Sequence, residues 1–348
     1  IASCLVGSEM CIRDRMYIRK ELYKVKKRFW NKLSVLCYHK VENTCADPVN
    51  ITVGIRNFQK QIEWLKQSTN IITPKEFENI LIDRKEFPKK SVMLTFDDGY
   101  TSYHNTMLTL KEHSIPAVFF ISTPENIFYW DFLLERLILP KSISNKDFQL
   151  FSVIIDSLKL SINIEKSLGA DSLEKIKDWK ISSHSYPFER CRAFSAIASK
   201  LENENPFNNY SIYNKLNKIN NSSKNIDSLF SKSNLINYHT IGSHTSNHFN
   251  LSKLSPRQQK KEIIVNKVKL EKFLNKKIKF FAYPFGSRLH YNDYSVKLAQ
   301  NHFKFSFSNF EGNIHKDSNH SELPRFLIRN WDIDEFKIKM KKFTDDKK

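Results

Sequence analysis

The sequence predicts an α/β fold, an irregular (β/α) barrel with fewer than eight strands, interrupted by a helical insertion. One observation is that apolar runs at residues 92–96 and 117–122 flank a helical pattern, which is the spacing of a βαβ unit with parallel strands. Another is the stretch from about 124 to 235, where polar helical sequence replaces the α/β pattern. Hydrophobic residues make up 40% of the chain, so a sizeable core is expected.

The stretch SVMLTFDDGY at residues 91–100 organises the predicted barrel. Its apolar strand runs directly into Asp97 and Asp98, and Gly99 permits a sharp turn after them. Buried carboxylates are costly unless they are paired or hold a metal. Because neighbouring side chains on an extended chain point to opposite sides, the two aspartates can have different tasks. The plainer interpretation is an ordinary Asx-type turn, which is what most DDG triplets form.

Two kinds of local signal define the elements before this strand. An apolar strand at residues 34–41 carries His39 near its end, and a lone histidine there is usually structural. Apolar residues at helical spacing predict a helix from residue 55. Thr73 followed by Pro74 predicts another helix, with Thr as the N-cap and Pro in the first position.

After the insertion, the α/β pattern resumes with a short strand that leads to His244 and His248. A long helix is predicted from Ser255 and Pro256 to about residue 274. Its expected core positions include Ile264, Val268 and Leu274. Strands at residues 279–282 and 303–307, an LPR segment at 323–325 and a helix from residue 335 complete the chain.

Histidines four residues apart can face one metal ion, although such a pair alone is a weak signal. Together with an aspartate from another strand end, His244 and His248 would form a set of two histidines and one carboxylate. Such a set leaves open positions for water and substrate, which is typical of catalytic metals. The second aspartate would then be free to act as a base.

The segments TFDDGY, SHTSNH and FAYPFG, in this order, resemble the first three motifs of the NodB-homology polysaccharide deacetylases, carbohydrate esterase family 4. The resemblance covers nearly all of residues 34–340 and implies the NodB type of barrel. The YHKV segment, the Trp130–Asp131 pair in the insertion and the late LPR segment resemble the bacterial branch associated with cell-surface polysaccharide clusters.

The resemblance assigns a role to each matching residue. It implies that Asp98, His244 and His248 bind a divalent metal, for which zinc is expected and cobalt or nickel are alternatives. It implies that Asp97 is the catalytic base, which Arg325 keeps ionised and oriented. A backbone N–H near the third motif would help to hold the oxyanion. The predicted substrate-binding residues are Tyr283, Pro284, Phe285, Trp130 and Trp331.

The sequence departs from the common pattern in two places. Ala282 stands where the third motif usually has an arginine, so Arg325 alone must position the base. No C-terminal LxLH motif is present to supply the usual acid. The branch with an N-terminal YH motif resembles a circular permutation, which implies that His39 protonates the leaving amine, with His290 as the alternative.

The resemblance implies a metal-dependent hydrolase that removes N-acetyl groups from amino sugars of a bacterial cell-surface polysaccharide or its oligosaccharide precursor. A catalytically inactive glycan-binding homologue is the alternative, supported by Ala282. The formal charge of +19 makes nucleic acid a partner to consider. The lysines of the protein are spread over the chain without a basic arm, so no specific nucleic-acid binding is expected. The oligomeric state is left open.

Residues 1–15 resemble the peptide encoded by translated sequencing-adapter DNA, and Met16 is the expected start. Residues 16–33 are predicted to form a basic helix. The overall positive charge would suit an anionic membrane surface, so peripheral membrane association is a further expectation. The five cysteines show no CxxC pair or disulfide-framework spacing, so a reducing compartment is expected. The predicted location is therefore the cytoplasm, with a lost export signal as the alternative.

Overall fold

The computed structural model describes residues 31–124, 128–183, 185–208, 212–213 and 235–344. The predicted artefact at residues 1–15 lies outside these residues, as does all of the predicted basic helix up to residue 30. Within the described ranges, none of the helices has the length and apolar character needed to cross a membrane.

The core of the fold is a curled parallel sheet. The described strands are β1 (Leu33–Tyr38), β2 (Lys40–Val41), β3 (Thr52–Val53), β4 (Asn70–Ile71), β5 (Ser91–Phe96), β6 (Val118–Ile121), β7 (Thr240–Ser243), β8 (Phe280–Ala282), β9 (Phe305–Phe307) and β10 (Phe326–Leu327). Seven of them follow the order β10-β1-β5-β6-β7-β8-β9, and β4 pairs with the start of β5. Strands β2 and β3 form a separate pair. The sheet is the half-barrel expected of a NodB-type fold.

The described part of the chain contributes eight strands to this sheet, so the prediction of fewer than eight is wrong. The reason is that β4 and β10 have two residues each, too few to show an alternating pattern. Because the sheet is parallel, the carboxyl ends of β1, β5, β7 and β8 share one rim. His39, Asp97, His244 and Tyr283 follow these four ends.

Helices surround the sheet. They are α1 (Ile55–Ser68), α2 (Pro74–Ile82), α3 (Tyr103–Glu112), α4 (Tyr129–Leu133), α5 (Asn145–Ser157), α6 (Ser172–Lys177), α7 (Glu189–Asn203), α8 (Leu235–Tyr238), α9 (Pro256–Leu274), α10 (Asp293–His302) and α11 (Ile333–Thr344), with a π-helical turn at Leu134–Ile138 and a 3₁₀ turn at Leu251–Lys253. The predicted starts of α2 and α9 are confirmed. Thr73 and Ser255 each form a capping box, and a proline occupies the first turn of each helix.

One prediction for α9 is wrong. Val268 is 55% exposed and does not belong to the core face of this helix. The buried face instead carries Ile263 and Leu270 together with the polar residues Glu262 and Asn266. The other two predicted core positions, Ile264 and Leu274, are partly buried and pack against the hydrophobic core. The polar residues on the buried side were not predicted, because their hydrogen-bond partners lie elsewhere in the chain.

The insertion packs onto the barrel. Trp130, Phe132, Leu133 and Leu137 are buried, and they belong to the same hydrophobic cluster as the sheet. Trp130 donates its indole N–H to the hydroxyl of Tyr100 over a distance of 3.1 Å. Tyr100 lies two residues after the Asp97–Asp98 pair. The ring of Trp130 also lies edge-on to His248, with centroids 5.0 Å apart. The start of the insertion thus forms part of the wall around the strand ends.

Candidate active site

Three buried ligand atoms converge at the ends of β5 and β7. The Oδ1 atom of Asp98 lies 3.4 Å from Nε2 of His244 and 3.3 Å from Nε2 of His248. Nδ1 of His244 donates to the carbonyl of Ala282 at 2.8 Å, which leaves Nε2 as the ring nitrogen that faces the carboxylate. Two imidazole nitrogens that face one carboxylate oxygen form a ligand set that a shared cation would complete.

The donor chemistry therefore fits a divalent metal. Asp98, His244 and His248 are all buried, and each offers one ligand atom within 4.8 Å of the other two. Among the residues that the structure describes, the Oδ1 atom of Asp98 has no hydrogen-bond partner. Mixed imidazole and carboxylate ligands suit zinc, cobalt and nickel alike, so the ligand set agrees with all three.

The backbone at this rim is held in an uncommon conformation. Four non-glycine residues have φ values in the left-handed region: 86° at Asp98, 64° at Thr245, 56° at His248 and 59° at Phe285. Each costs about 1–3 kcal/mol and persists only where the surroundings enforce it. Two of the four are themselves in the cluster of candidate ligands, so the fold stabilises a strained arrangement at this site.

Asp97 points away from its neighbour Asp98 toward Arg325. The guanidinium donates to both carboxylate oxygens at 2.7 Å, and its Nε donates to the carbonyl of Ser308 at 2.8 Å. Burial raises the pKa of Asp97, but the charge of Arg325 and then that of His244 outweigh burial, so the pKa lies below its ordinary value. Asp97 is thus an ionised carboxylate 3.9 Å from Nε2 of His244.

The two histidines predicted as alternative acids differ in their surroundings. Nδ1 of His39 is buried and has no hydrogen-bond partner within the described part of the chain. Burial lowers the pKa of His39, and the opposing attraction of Asp98 and Asp97 does not cancel this effect. His290, by contrast, uses both ring nitrogens: Nδ1 lies 2.7 Å from Oγ of Ser287, and Nε2 lies 2.8 Å from Oε1 of Glu202.

A cavity of about 300 Å³ opens over this cluster. Trp130 and Phe285, two of the five predicted substrate-binding residues, line it. The full set of lining residues is His39, Val49, Ile51, Asp97, Asp98, Tyr129, Trp130, Ile181, Ala198, Glu202, His244, His248, Phe285, His290, Asn309, Leu327 and Arg329. The insertion therefore supplies much of one wall, through Tyr129, Trp130, Ile181, Ala198 and Glu202.

The other three predicted substrate-binding residues do not line this cavity. Tyr283 is buried behind it, stacked on Tyr291 with centroids 4.1 Å apart, and its hydroxyl donates to the carbonyl of Ser321. Pro284 is buried beside Tyr283. Trp331 lies under the Nζ atom of Lys339, 5.3 Å from its ring, and packs next to Phe343 of α11. The sequence alone could not distinguish the residues that line the cavity at the rim of the sheet from those that are buried beneath it.

Comparison with known proteins agrees with the three ordered motifs. A family model described as polysaccharide deacetylase matches residues 84–236 and 234–303, more than half of the chain. The chain belongs to the polysaccharide deacetylase family. The resemblance inferred from TFDDGY, SHTSNH and FAYPFG is thereby confirmed.

Two curated relatives of this deacetylase-family chain are poly-beta-1,6-N-acetyl-D-glucosamine N-deacetylases. The protein of Staphylococcus epidermidis is 30% identical over 176 residues, which are 44% of this chain and 59% of that relative. A Staphylococcus aureus protein is 42% identical over 77 residues, which are 21% of this chain and 26% of that relative. The matches thus span less than two thirds of these relatives.

Solved structures support the fold of this deacetylase-family chain. The deacetylase PplD of Streptococcus pyogenes, in complex with acetate, superposes with a TM-score of 0.51 at 18% identity, covering 90% of this chain and 99% of that one. A polysaccharide deacetylase from Bacillus cereus superposes with a TM-score of 0.50 at 17% identity, covering 90% of this chain and 70% of that one.

Several residues at the site of this deacetylase-family chain escaped sequence reasoning. Glu202, Asn309 and Arg329 line the cavity, yet none belongs to a motif. Glu262 hydrogen-bonds the loop between His244 and His248 from the buried face of α9. The one available signal was a carboxylate and an amide four residues apart, Glu262 and Asn266, within a long helix, and such a spacing is too common to stand out.

Proposed function

We propose that this protein is a metal-dependent N-deacetylase that removes acetyl groups from amino sugars of a bacterial cell-surface polysaccharide or its precursor. The observation that carries the proposal is the pair of adjacent aspartates with separate partners. Asp98 faces His244 and His248, while Asp97 is clamped by Arg325 at the same cavity. The names of the staphylococcal relatives make poly-β-1,6-N-acetyl-D-glucosamine the first substrate to test.

In the proposed mechanism, Asp98, His244 and His248 would hold the metal. When bound there, a divalent ion would supply Lewis-acid polarisation of the amide carbonyl and activation of water. Asp97 accepts a proton from the attacking water, and its bidentate contact with Arg325 orients it for this step. A backbone N–H near Phe285 helps to stabilise the oxyanion.

The second half of the reaction breaks the carbon–nitrogen bond. His39 donates a proton to the departing nitrogen, and the products are a free amine on the sugar and acetate. His39 is the better candidate because no described residue hydrogen-bonds Nδ1 of its ring, whereas both ring nitrogens of His290 are engaged. Trp130 and Phe285 offer apolar surface for the sugar ring or the acetyl methyl group.

Acetate release from N-acetylated glycans tests the proposal directly. The full chain is stripped with a chelator and reloaded with zinc, cobalt or nickel. It is then incubated with poly-β-1,6-N-acetylglucosamine, its short oligomers, chitin oligomers and free N-acetylglucosamine. We expect release only after reloading. Failure to bind any metal would overturn the site assignment, and metal binding without release from any glycan would favour the inactive glycan-binding alternative.

His39 and His290 can be separated by their effect on the leaving group. Loss of a general acid typically costs about 10²–10⁴-fold in kcat on an amide. We expect this loss in His39→Gln and a much smaller one in His290→Gln. An activated aryl acetate needs no proton on its leaving group, so His39→Gln should hydrolyse it at close to the wild-type rate. The reverse ranking of the two variants would assign the acid to His290.

A further inference from the structure

The loop between the two histidines has a strained backbone. Thr245 and His248 both have positive φ values, 64° and 56°, although neither is glycine. Within the loop, the hydroxyl of Thr245 accepts a hydrogen bond from the N–H of His248 at 3.2 Å. Conformations of this kind persist only when the surrounding structure holds them. The question is which residues outside the loop do so.

Glu262 holds the loop just before His248. Its Oε2 accepts the backbone N–H of Asn247 at 2.8 Å, and its Oε1 accepts the side-chain amide of Asn247 at 2.7 Å. The backbone carbonyl of Glu262 also accepts the N–H of Ser246 at 3.0 Å. Glu262 is only 3% exposed. One buried residue therefore holds two consecutive residues of the loop.

Asn266, one turn further along α9, holds the other end. Its amide donates to the hydroxyl of Ser243 and to the carbonyl of Ile121, each at 2.8 Å. Its amide oxygen accepts the hydroxyl of Thr123 at 2.7 Å. The residues that immediately precede His244 and His248, Ser243 and Asn247, are thus both anchored to the same helix face.

A carboxylate is a costly way to fill a buried position on a helix. Burial raises the pKa of Glu262, which shows that its surroundings disfavour the charge. An apolar side chain would bury without that cost but would leave both N–H groups of Asn247 unsatisfied. The two carboxylate oxygens of Glu262 match the two N–H donors of Asn247. This match indicates that Glu262 serves to fix the position of Asn247.

We infer that Glu262 is a positioning residue, which fixes Asn247 and thereby aims His248 for metal binding. The inference rests on the proposed function, since it requires that His244 and His248 bind a metal. Partners that orient metal ligands typically contribute about 10–100-fold to metal affinity. We expect Glu262 to contribute within this range without touching metal or substrate.

Glu262→Gln tests the inference with little change in shape. A glutamine can accept only one of the two hydrogen bonds and turns its amide N–H groups toward a second donor. We expect zinc affinity to fall about 10–100-fold and the absorption spectrum of bound cobalt to change. Glu271→Gln, on the same helix, is the matched control. Glu271 pairs with Lys267 away from the loop, so its loss should leave both readouts unchanged.

A double variant distinguishes positioning from general stability. In Glu262→Gln with Asn247→Asp, the glutamine amide can donate to the new carboxylate and its oxygen can still accept the backbone N–H. We expect most of the lost metal affinity and the wild-type cobalt spectrum to return. Unfolding of the metal-free proteins is measured alongside, because a purely structural role would change stability without changing the spectrum.

The outcomes are separable. If wild type binds no metal, the proposed function fails first. If wild type binds metal and Glu262→Gln binds it equally well with an unchanged spectrum, the inference is overturned. Should Glu262→Gln not fold, Asn247→Ala removes the side-chain half of the contact from a partly exposed position. Unchanged metal affinity in Asn247→Ala would then overturn the inference.

Discussion

Replacing Asp97 with Asn is expected to reduce kcat for acetate release by about 10²–10⁴-fold while metal remains bound. An amide cannot accept the proton from water, so the variant loses the base but keeps its shape. Metal should be retained because Asp97 faces Arg325 and lies outside the set of Asp98, His244 and His248. The measurement is kcat beside bound metal after dialysis, on protein shown to be folded.

The adjacent residue provides the matched control. Asp98→Asn should lose both metal and activity, because its Oδ1 is one of the three converging ligand atoms. The two variants carry the same chemical change at adjacent positions of the chain. Normal turnover in Asp97→Asn would refute the assignment of Asp97 as the base. Loss of metal in Asp97→Asn but not in Asp98→Asn would exchange the roles of the two aspartates.

Replacing Arg325 with Met is expected to give the largest loss of stability, about 3–5 kcal/mol in the free energy of unfolding. Arg325 is fully buried, and Asp97 is 3% exposed. Without the guanidinium, the carboxylate would be a buried charge with no bidentate partner. Denaturant unfolding of the chelated proteins measures the loss. Arg288→Met removes an arginine whose side chain is 72% exposed and should cost less than about 0.5 kcal/mol.

The loss in Arg325→Met should depend on pH. In the wild type the pKa of Asp97 is lowered, because Arg325 outweighs the effect of burial. The ion pair therefore stabilises the fold above the ordinary pKa of the carboxyl, and this stability disappears as pH falls through the lowered value. In the variant, no guanidinium counteracts the effect of burial, so the pKa of Asp97 rises. Mild acid then protonates Asp97 and removes the energetic cost of burying its unpaired charge.

We therefore expect the stability difference between wild type and Arg325→Met to narrow as the pH falls from neutral into the mildly acidic range. The acid limb of the kcat/KM profile should also move to higher pH in any residually active Arg325 variant, since the base is protonated earlier. A stability difference that is constant over this range would show that Asp97 is not held ionised by Arg325.

The sequence determined the parts of this protein that depend on local chemistry. Asp97 and Asp98 follow an apolar strand, His244 and His248 follow another, and parallel strands bring such ends to one rim. The starts of α2 and α9 were equally readable, because an N-cap residue and a following proline act within one turn. Three ordered motifs were enough to indicate the family, which the family model confirms.

Only the tertiary structure decided which side chains meet. Arg325 and Asp97 are separated by 228 positions. The family resemblance implied that they pair, but no local pattern encodes the bidentate contact that the structure shows. The inward face of α9 carries Glu262 rather than Val268, because a buried carboxylate is stable only where another segment supplies donors. Trp331 lies against α11, away from the cavity, although its aromatic ring suited a sugar site. Local chemistry specifies strands, turns and candidate ligands, whereas burial and hydrogen-bond partners depend on segments distant in the chain.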